Sequence, residues 1–317
     1  MNTTIQTGVS THITRKDVHF LSNKMKLAAH LYLPANIDSV KEPLPAIVVG
    51  HPGTAVKEQT AGLYASLLAE KGFITLAFDA AFQGESEGFP RGLEDPAQRI
   101  EDIKAAVSYL TTLDFVNRER IGVLGICASG GYGIAAAATD HRVKAIATVS
   151  AADIGRQFRN GSDGKQDLAI IKNMLNYAAA ARTAEAKGEA PASFPIFPET
   201  EEQAKAMGMH VYEGWKYYCT APYEHPRSAK TFTWSSVDRI AGFDAFSFVD
   251  MIAPRPLLMI VGSAAITKWI TDEAMAGAQD PKELFVIEGA THVDLYYKDV
   301  FVKPAVDKLE SFFATKL

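Results

Sequence analysis

A cysteine lies at the centre of the segment Gly122-Val123-Leu124-Gly125-Ile126-Cys127-Ala128-Ser129-Gly130-Gly131-Tyr132-Gly133. An apolar run, Arg120 to Leu124, leads into a turn of small residues, and the alanine-rich run Tyr132 to Ala138 follows. Strand, sharp turn and helix in that order form a nucleophile elbow, which pushes the reactive side chain out on a strained backbone. Neighbouring backbone atoms crowd such a turn, so its flanking positions must be small. Gly125 and Ser129 occupy them, giving G-x-C-x-S with Cys127 in the middle. A thiol is a better nucleophile near neutral pH than a hydroxyl, so these residue types point to covalent catalysis. The alternative is a cysteine buried merely as a small apolar side chain.

A thiol nucleophile needs a base. His292, in Gly289-Ala290-Thr291-His292-Val293-Asp294, follows the last apolar run. Elbow enzymes of this type order their triad as nucleophile, acid and late histidine. The ring of His292 is therefore expected within hydrogen-bond reach of the Cys127 sulfur. His12, His19, His30, His141, His210 and His225 stand in contexts that read as surface, hairpin or inserted helices. His51 differs, because Gly50-His51-Pro52-Gly53-Thr54 ends an apolar strand and would face the elbow. The backbone of His51 and of Gly53 or Thr54, with the Ala128 N–H, is expected to build the oxyanion pocket. His51 is also expected to border the substrate, and a role as the base is its competing reading.

The chain around these residues alternates between two periodicities. Lys16 to Asn23 and Met25 to Leu33 read as a hairpin across Asn23-Lys24. Ala46 to Val49 is a β-branched run of the kind covered on both faces. A helix is expected from Glu58 to Lys71, with Gly72 as its stop. Phe73 to Phe78 is the next strand, ending at Asp79. Asp95-Pro96 opens a helix in which Ile100, Ile103, Val107 and Leu110 keep helical spacing. After the elbow come strands Val143 to Val149, Pro256 to Val261 and Leu284 to Ile287, then a helix from Lys303 to Ala314. Such alternation predicts an α/β fold, a mostly parallel sheet flanked by helices, with ligands beyond the carboxyl ends of the strands. His51, Asp79, Cys127, Asp153 and His292 each follow such an end.

From Ile154 to Phe243 this rhythm breaks into helical runs, Gln166 to Ala184, Glu201 to Met207 and Val211 to Tyr218, without a convincing buried strand. The expectation is a helical cap, 154–243, inserted into a core formed by 1–153 and 244–317. Trp215, Tyr218 and Trp234 are candidates for an apolar substrate wall, although aromatics of a cap can equally serve to glue it to the core.

The 317 residues are 47% hydrophobic and 22% charged, a globular composition able to bury a large core. A formal charge of -5 gives no reason to expect nucleic acid or an anionic membrane as partner. The segment Met1 to Ser10 is polar, without the apolar stretch of a signal peptide, and no run approaches a membrane span. Two cysteines, Cys127 and Cys219, are too few for a disulfide framework, and a cytoplasmic setting suits a working thiol. No metal site and no cofactor are expected: no histidine pair has ligand spacing, and no phosphate loop is present. The expected partner is a small acyl substrate; a homodimer stays open.

The elbow, the His51-Pro52-Gly53 loop, the Asp79…Gly84-x-Ser86 turn and the late His292 together resemble the α/β-hydrolase superfamily. Within it, the Cys127 elbow resembles dienelactone hydrolase. His51-Pro52-Gly53…Lys57-Glu58-Gln59 and Thr291-His292-Val293-Asp294-Leu295-Tyr296 are similar to a branch of bacterial and fungal polyketide-transferase-like hydrolases. The resemblance implies acyl transfer: Cys127 attacks an ester, lactone or thioester carbonyl, an acyl-enzyme forms, and water releases it. An acyltransferase with the same intermediate, or a catalytically silent ligand-binding member, are the alternatives. The resemblance also places an acid after the strand Pro256 to Val261. The residues there, Gly262-Ser263-Ala264-Ala265-Ile266-Thr267, carry no carboxylate. Asp272 is the favoured substitute, with Asp153 the alternative because some relatives take their acid one strand earlier. Without either, the site reduces to a Cys–His pair.

Overall fold

The computed structural model describes residues 13–35 and 37–317; the polar segment 1–10 and His12 lie outside the described residues. Two strands open the fold, β1 (Thr14–Ser22) and β2 (Met25–Leu33), paired antiparallel with Ser22 opposite Met25. The turn residues Asn23 and Lys24 both have positive φ, 45° and 69°. That left-handed pair gives the two-residue turn a twist matching the strands.

Strands and helices then alternate: β3 (Leu44–Gly50), α1 (Thr60–Glu70), β4 (Ile74–Phe78), α2 (Pro96–Leu110), β5 (Val116–Ile126), α3 (Ala128–Thr139) and β6 (Val143–Val149). Asp95 caps α2 by accepting from the Ala97 and Gln98 N–H groups, and Pro96 follows in the first turn, where its missing N–H is harmless. Between β6 and the next core strand lie α4 (Ile154–Asn160), α5 (Leu168–Ala186), β7 (Ser193–Pro195), α6 (Glu201–Ala206), α7 (Met209–Cys219), β8 (Thr231–Thr233) and α8 (Val237–Ala241). The chain closes with β9 (Leu257–Gly262), α9 (Lys268–Gly277), β10 (Lys282–Ile287), α10 (Asp294–Tyr297) and α11 (Asp299–Lys316).

Eight strands form one sheet in the order β1-β2-β4-β3-β5-β6-β9-β10, parallel from β4 to β10 and antiparallel at β1 and β2. The period of two along β3 splits its side chains between two cores. Ala46 and Val48 pack with Ile103, Val107 and Leu110 of α2 and Tyr132 of α3. Ile47 and Val49 pack with Leu68 of α1 and Leu309 and Phe313 of α11. A strand buried on both faces must be apolar throughout, which is why its sequence shows no alternation.

The segment between β6 and β9 departs from expectation in one respect. It holds an antiparallel pair, β7 with β8, where Phe194 faces Phe232. Strands of three residues are too short to leave a periodic trace in the sequence. Among the described residues, no helix is long and apolar enough to cross a membrane.

Candidate active site

Cys127 sits between β5 and α3 with φ 53° and ψ −120°. A residue with a Cβ held there stores about 1–3 kcal/mol of strain, so its surroundings must fix it. The Cys127 N–H donates to the Val149 carbonyl at 3.0 Å, and its own carbonyl accepts from Gly130 (2.8 Å) and Ala152 (2.9 Å). Gly125 is obligatory, because a Cβ there would run into the Ser129 carbonyl. The Ser129 hydroxyl donates to the His51 carbonyl at 2.6 Å, tying the turn to the loop after β3.

The Ala128 and Gly53 N–H groups donate to the Cys127 sulfur, and the Tyr296 hydroxyl hydrogen-bonds to it. Burial pushes the thiol pKa up, while these hydrogen bonds and the nearby Arg99 charge act against that rise. His292 is buried, with Nε2 2.9 Å from the Tyr296 hydroxyl and Nδ1 2.6 Å from the Thr267 hydroxyl. Its carbonyl accepts from the Ser150 hydroxyl at 2.9 Å, which fixes the loop after β10. Burial holds the imidazole well below its ordinary pKa, and His210, whose ring centroid is 5.3 Å away, lowers it further. The ring is therefore neutral near pH 7 and able to accept a proton. The hydrogen bond expected to run from His292 to the sulfur passes instead through Tyr296.

The structure corrects the expected acid. On α9, Ile270, Thr271 and Ala274 face inward, leaving Asp272 on the outer side, where Lys268 binds its carboxylate at 2.6 and 2.8 Å. Asp153 is buried but caps α4, accepting from the N–H groups of Arg156 (3.1 Å) and Ala245 (2.8 Å). The place beside His292 Nδ1 belongs to Thr267, the last residue of the carboxylate-free stretch. Asp272→Asn is accordingly expected to leave turnover within about twofold of wild type, since an exposed i,i+4 ion pair contributes only tenths of a kcal/mol. Asp153→Ala is expected to lower stability by about 1–2 kcal/mol through the lost cap, read from a denaturant melt. A Asp272→Asn variant with a severe kinetic defect would restore the carboxylate triad.

Other expected positions separate in the same way. Gly53 and Ala128 supply N–H groups at the sulfur, whereas Thr54 (φ 58°) uses its carbonyl to accept from the Ser228 hydroxyl. The His51 ring is buried in the loop, not at a substrate wall: Nδ1 lies 2.6 Å from the Pro52 carbonyl, and Nε2 accepts from the Ala80 N–H at 3.1 Å. A cavity of about 480 Å³ opens beside Cys127, His292 and Tyr296. Tyr218 lines it, together with Phe158, Met174, Phe194 and Phe232. Trp215 and Trp234 do not; Trp234 packs at a tilt against Phe194 of β7 and Tyr177 of α5, with ring centroids at 4.4 and 4.9 Å, and joins those two elements. Among the described residues, the lining contains no Asp, Glu, Lys or Arg, and no cluster of His, Cys, Asp and Glu could hold a metal ion.

Four residues at or under the site escaped the sequence reading. Tyr296 lies four positions after His292, a spacing that puts both on one side of a helical turn. Thr267 was visible only as the end of a stretch without an acid. His210 carried no local signal, because its neighbour His292 arrives from the other end of the chain. Arg99 carried one: it precedes Ile103, Val107 and Leu110 at spacings of four, eight and eleven, and so falls on the buried face of α2.

A strained cysteine at the turn between strand and helix of a mostly parallel sheet, with a late histidine beyond the last strand, defines a protein of the α/β-hydrolase fold. Residues 23–208 match the X-Pro dipeptidyl-peptidase (S15) family. The chain belongs to that family of hydrolases. It is 40% identical to Escherichia coli YcjY over 295 residues, covering 92% of this chain and 95% of that one. The crystal structure of PA2218 from Pseudomonas aeruginosa matches with a TM-score of 0.90 at 37% identity, covering 98% of this chain and 95% of the other. Thiohydrolase aneE of Aspergillus aculeatus is 31% identical over 78% of this chain and 76% of its own. The likeness to dienelactone hydrolase extends to the fold, with 13% identity and a TM-score of 0.57 for the Anabaena variabilis protein.

Proposed function

We propose that the protein is a cysteine-dependent acyl hydrolase that opens an ester, lactone or thioester through an acyl-Cys127 intermediate. One observation carries this reading: a strained Cys127 whose sulfur meets two backbone N–H groups, with a neutral imidazole one hydroxyl away. In the reaction, the sulfur attacks the acyl carbon as His292 takes up the thiol proton. The carbonyl oxygen gains charge and turns to the Ala128 and Gly53 N–H groups, which need no reorganisation to receive it. Collapse expels the alcohol or thiol, protonated by the imidazolium. Water, deprotonated by His292, then releases the acid.

The cavity supports a neutral acyl group rather than a peptide. A substrate with a free amino terminus would bring an ammonium into a space with no carboxylate on its lining, and an unpaired buried charge is strongly disfavoured. The phenylalanines and Met174 suit an aliphatic or aromatic acyl portion. The relative called a thiohydrolase favours including thioesters. Much of that apolar wall comes from α4 to β8, so we read 154–243 as a cap over a core of 1–153 and 244–317.

Intact-protein mass spectrometry during incubation with p-nitrophenyl esters and acyl thioesters tests this. The expected result is a mass gain equal to the acyl group, mapped to the peptide containing Cys127. Turnover with the label on another residue would overturn the proposal. An alcohol or amine added to the same incubation separates hydrolysis from acyl transfer by the product formed.

A further inference from the structure

We propose that Tyr296 is the proton relay of this site, its hydroxyl passing the Cys127 thiol proton to His292. The inference rests on the reading of Cys127 as nucleophile and adds to it the route by which the base reaches the thiol.

Both nitrogens of the His292 ring are already engaged, Nδ1 by the Thr267 hydroxyl at 2.6 Å and Nε2 by the Tyr296 hydroxyl at 2.9 Å. That same tyrosine hydroxyl hydrogen-bonds to the Cys127 sulfur. Thr267 accepts the Nδ1 proton, Nε2 accepts the tyrosine proton, and the tyrosine oxygen accepts the thiol proton. The Tyr296 oxygen thus stands between the sulfur and the imidazole, and the relay assigns His292 the tautomer with its proton on Nδ1, which the Thr267 hydroxyl can accept.

The tyrosine is held in place. Tyr296 is buried, and its N–H donates to the Val293 carbonyl at 2.9 Å. The Leu295 carbonyl beside it accepts from the buried Tyr64 hydroxyl at 2.8 Å. Tyr217 and His292 pack edge-on against the ring, with centroids at 5.3 and 5.5 Å. The titratable groups facing the hydroxyl are Cys127, His292, Tyr217 and Tyr218, and the first two are its hydrogen-bond partners.

Protons and electrons balance through one acylation. The S–H bond breaks and its proton goes to the Tyr296 oxygen, while the original tyrosine proton goes to His292 Nε2. The sulfur pair forms the S–C bond, and the carbonyl π pair moves onto the oxygen. On collapse the imidazolium proton returns through the same hydroxyl to the leaving oxygen or sulfur. Tyr296 is neutral before and after. Burial holds its hydroxyl pKa well above the ordinary value, so both transfers occur together and no free tyrosinate accumulates.

Tyr296→Phe tests the relay by two rates measured across pH. The first is kcat/KM for a p-nitrophenyl ester; the second is alkylation of Cys127 by iodoacetamide, which develops no oxyanion. Both are expected to fall near pH 7, kcat/KM by about 10²–10³-fold. Alkylation should approach the wild-type rate at high pH, where hydroxide removes the thiol proton. Ester turnover lost with alkylation unchanged would make Tyr296 an oxyanion donor and overturn the relay. Rates within a few-fold of wild type would make it a spacer, with His292 reaching the sulfur directly, and a uniform drop at all pH values would make it structural; either result overturns the relay as well. Should Tyr296→Phe fold poorly, the wild-type enzyme still decides. The acylation burst in mixtures of H2O and D2O should give a curved proton inventory for two moving protons, and a straight line rejects the relay. Failure of the underlying reading is seen separately, as ester turnover persisting in Cys127→Ala.

Discussion

Cys127→Ala is expected to abolish ester turnover, by about 10⁴-fold or more, while leaving the melting temperature nearly unchanged. On the proposed mechanism the magnitude follows from losing the atom that forms the covalent intermediate; the N–H groups of Gly53 and Ala128 remain but have nothing to assist. Stability is preserved because the strain at φ 53° belongs to the backbone and Cβ, which alanine keeps. Cys127→Gly should therefore melt above Cys127→Ala, by about 1 kcal/mol, since glycine tolerates positive φ. An elbow that gained nothing from glycine would not be strained. Cys127→Ser is expected to keep a small remnant, as a hydroxyl yields its proton less readily to an imidazole whose basicity burial has already reduced. The same depression sets the pH profile. As the proposed base, His292 works only as the neutral ring, so its lowered pKa moves the acidic limb of kcat/KM to lower pH, below the value of about 6.5 of a free imidazole. A limb at or above pH 7 would show that another group is the base.

Arg99→Met is expected to destabilise the fold by about 3–5 kcal/mol, measured by denaturant unfolding. Arg99 and Glu94 are both buried, with Nε 3.4 Å from the carboxylate. The guanidinium also donates to the His51 carbonyl at 2.7 Å and the Ser129 hydroxyl at 3.1 Å, and lies 5.1 Å above the Tyr132 ring centroid. Glu94 in turn accepts from the Tyr132 hydroxyl at 2.8 Å. Removing the cation leaves the fully buried Glu94 carboxylate without its charge partner, and such an unpaired buried charge costs more than the pair was worth. The double variant Glu94→Gln/Arg99→Met should recover a large part of the loss, which distinguishes a stranded charge from lost packing. A single-variant loss under 1 kcal/mol would refute the argument. Because Arg99 joins the His51 loop to Ser129, its removal should also loosen Gly53 against Ala128 and lower turnover beyond what stability explains.

The elements of this fold were legible in the sequence because each rests on short-range physics. Ala46 to Val49 reads as a buried strand from its composition, Asp95-Pro96 as a helix start from its capping chemistry, and Gly125-x-Cys127-x-Ser129 as an elbow from the sterics of one turn. The place of His292 beyond the last strand followed from the order of the elements, and the missing acid from six residues without a carboxylate. Even Arg99 could have been read, as an arginine at core spacing on α2. What the tertiary structure decided is how side chains from distant strand ends meet. Asp272 stood at the right distance along the chain, but the 3.6-residue period of α9, set by Ile270 and Ala274 against the core, turns it to solvent. Thr267 at His292 Nδ1, Tyr296 at the Cys127 sulfur, and His210 against the His292 ring are contacts between residues 25, 169 and 82 positions apart along the chain. Such contacts depend on rotamers and loop paths selected by packing of the whole molecule, which no local pattern encodes.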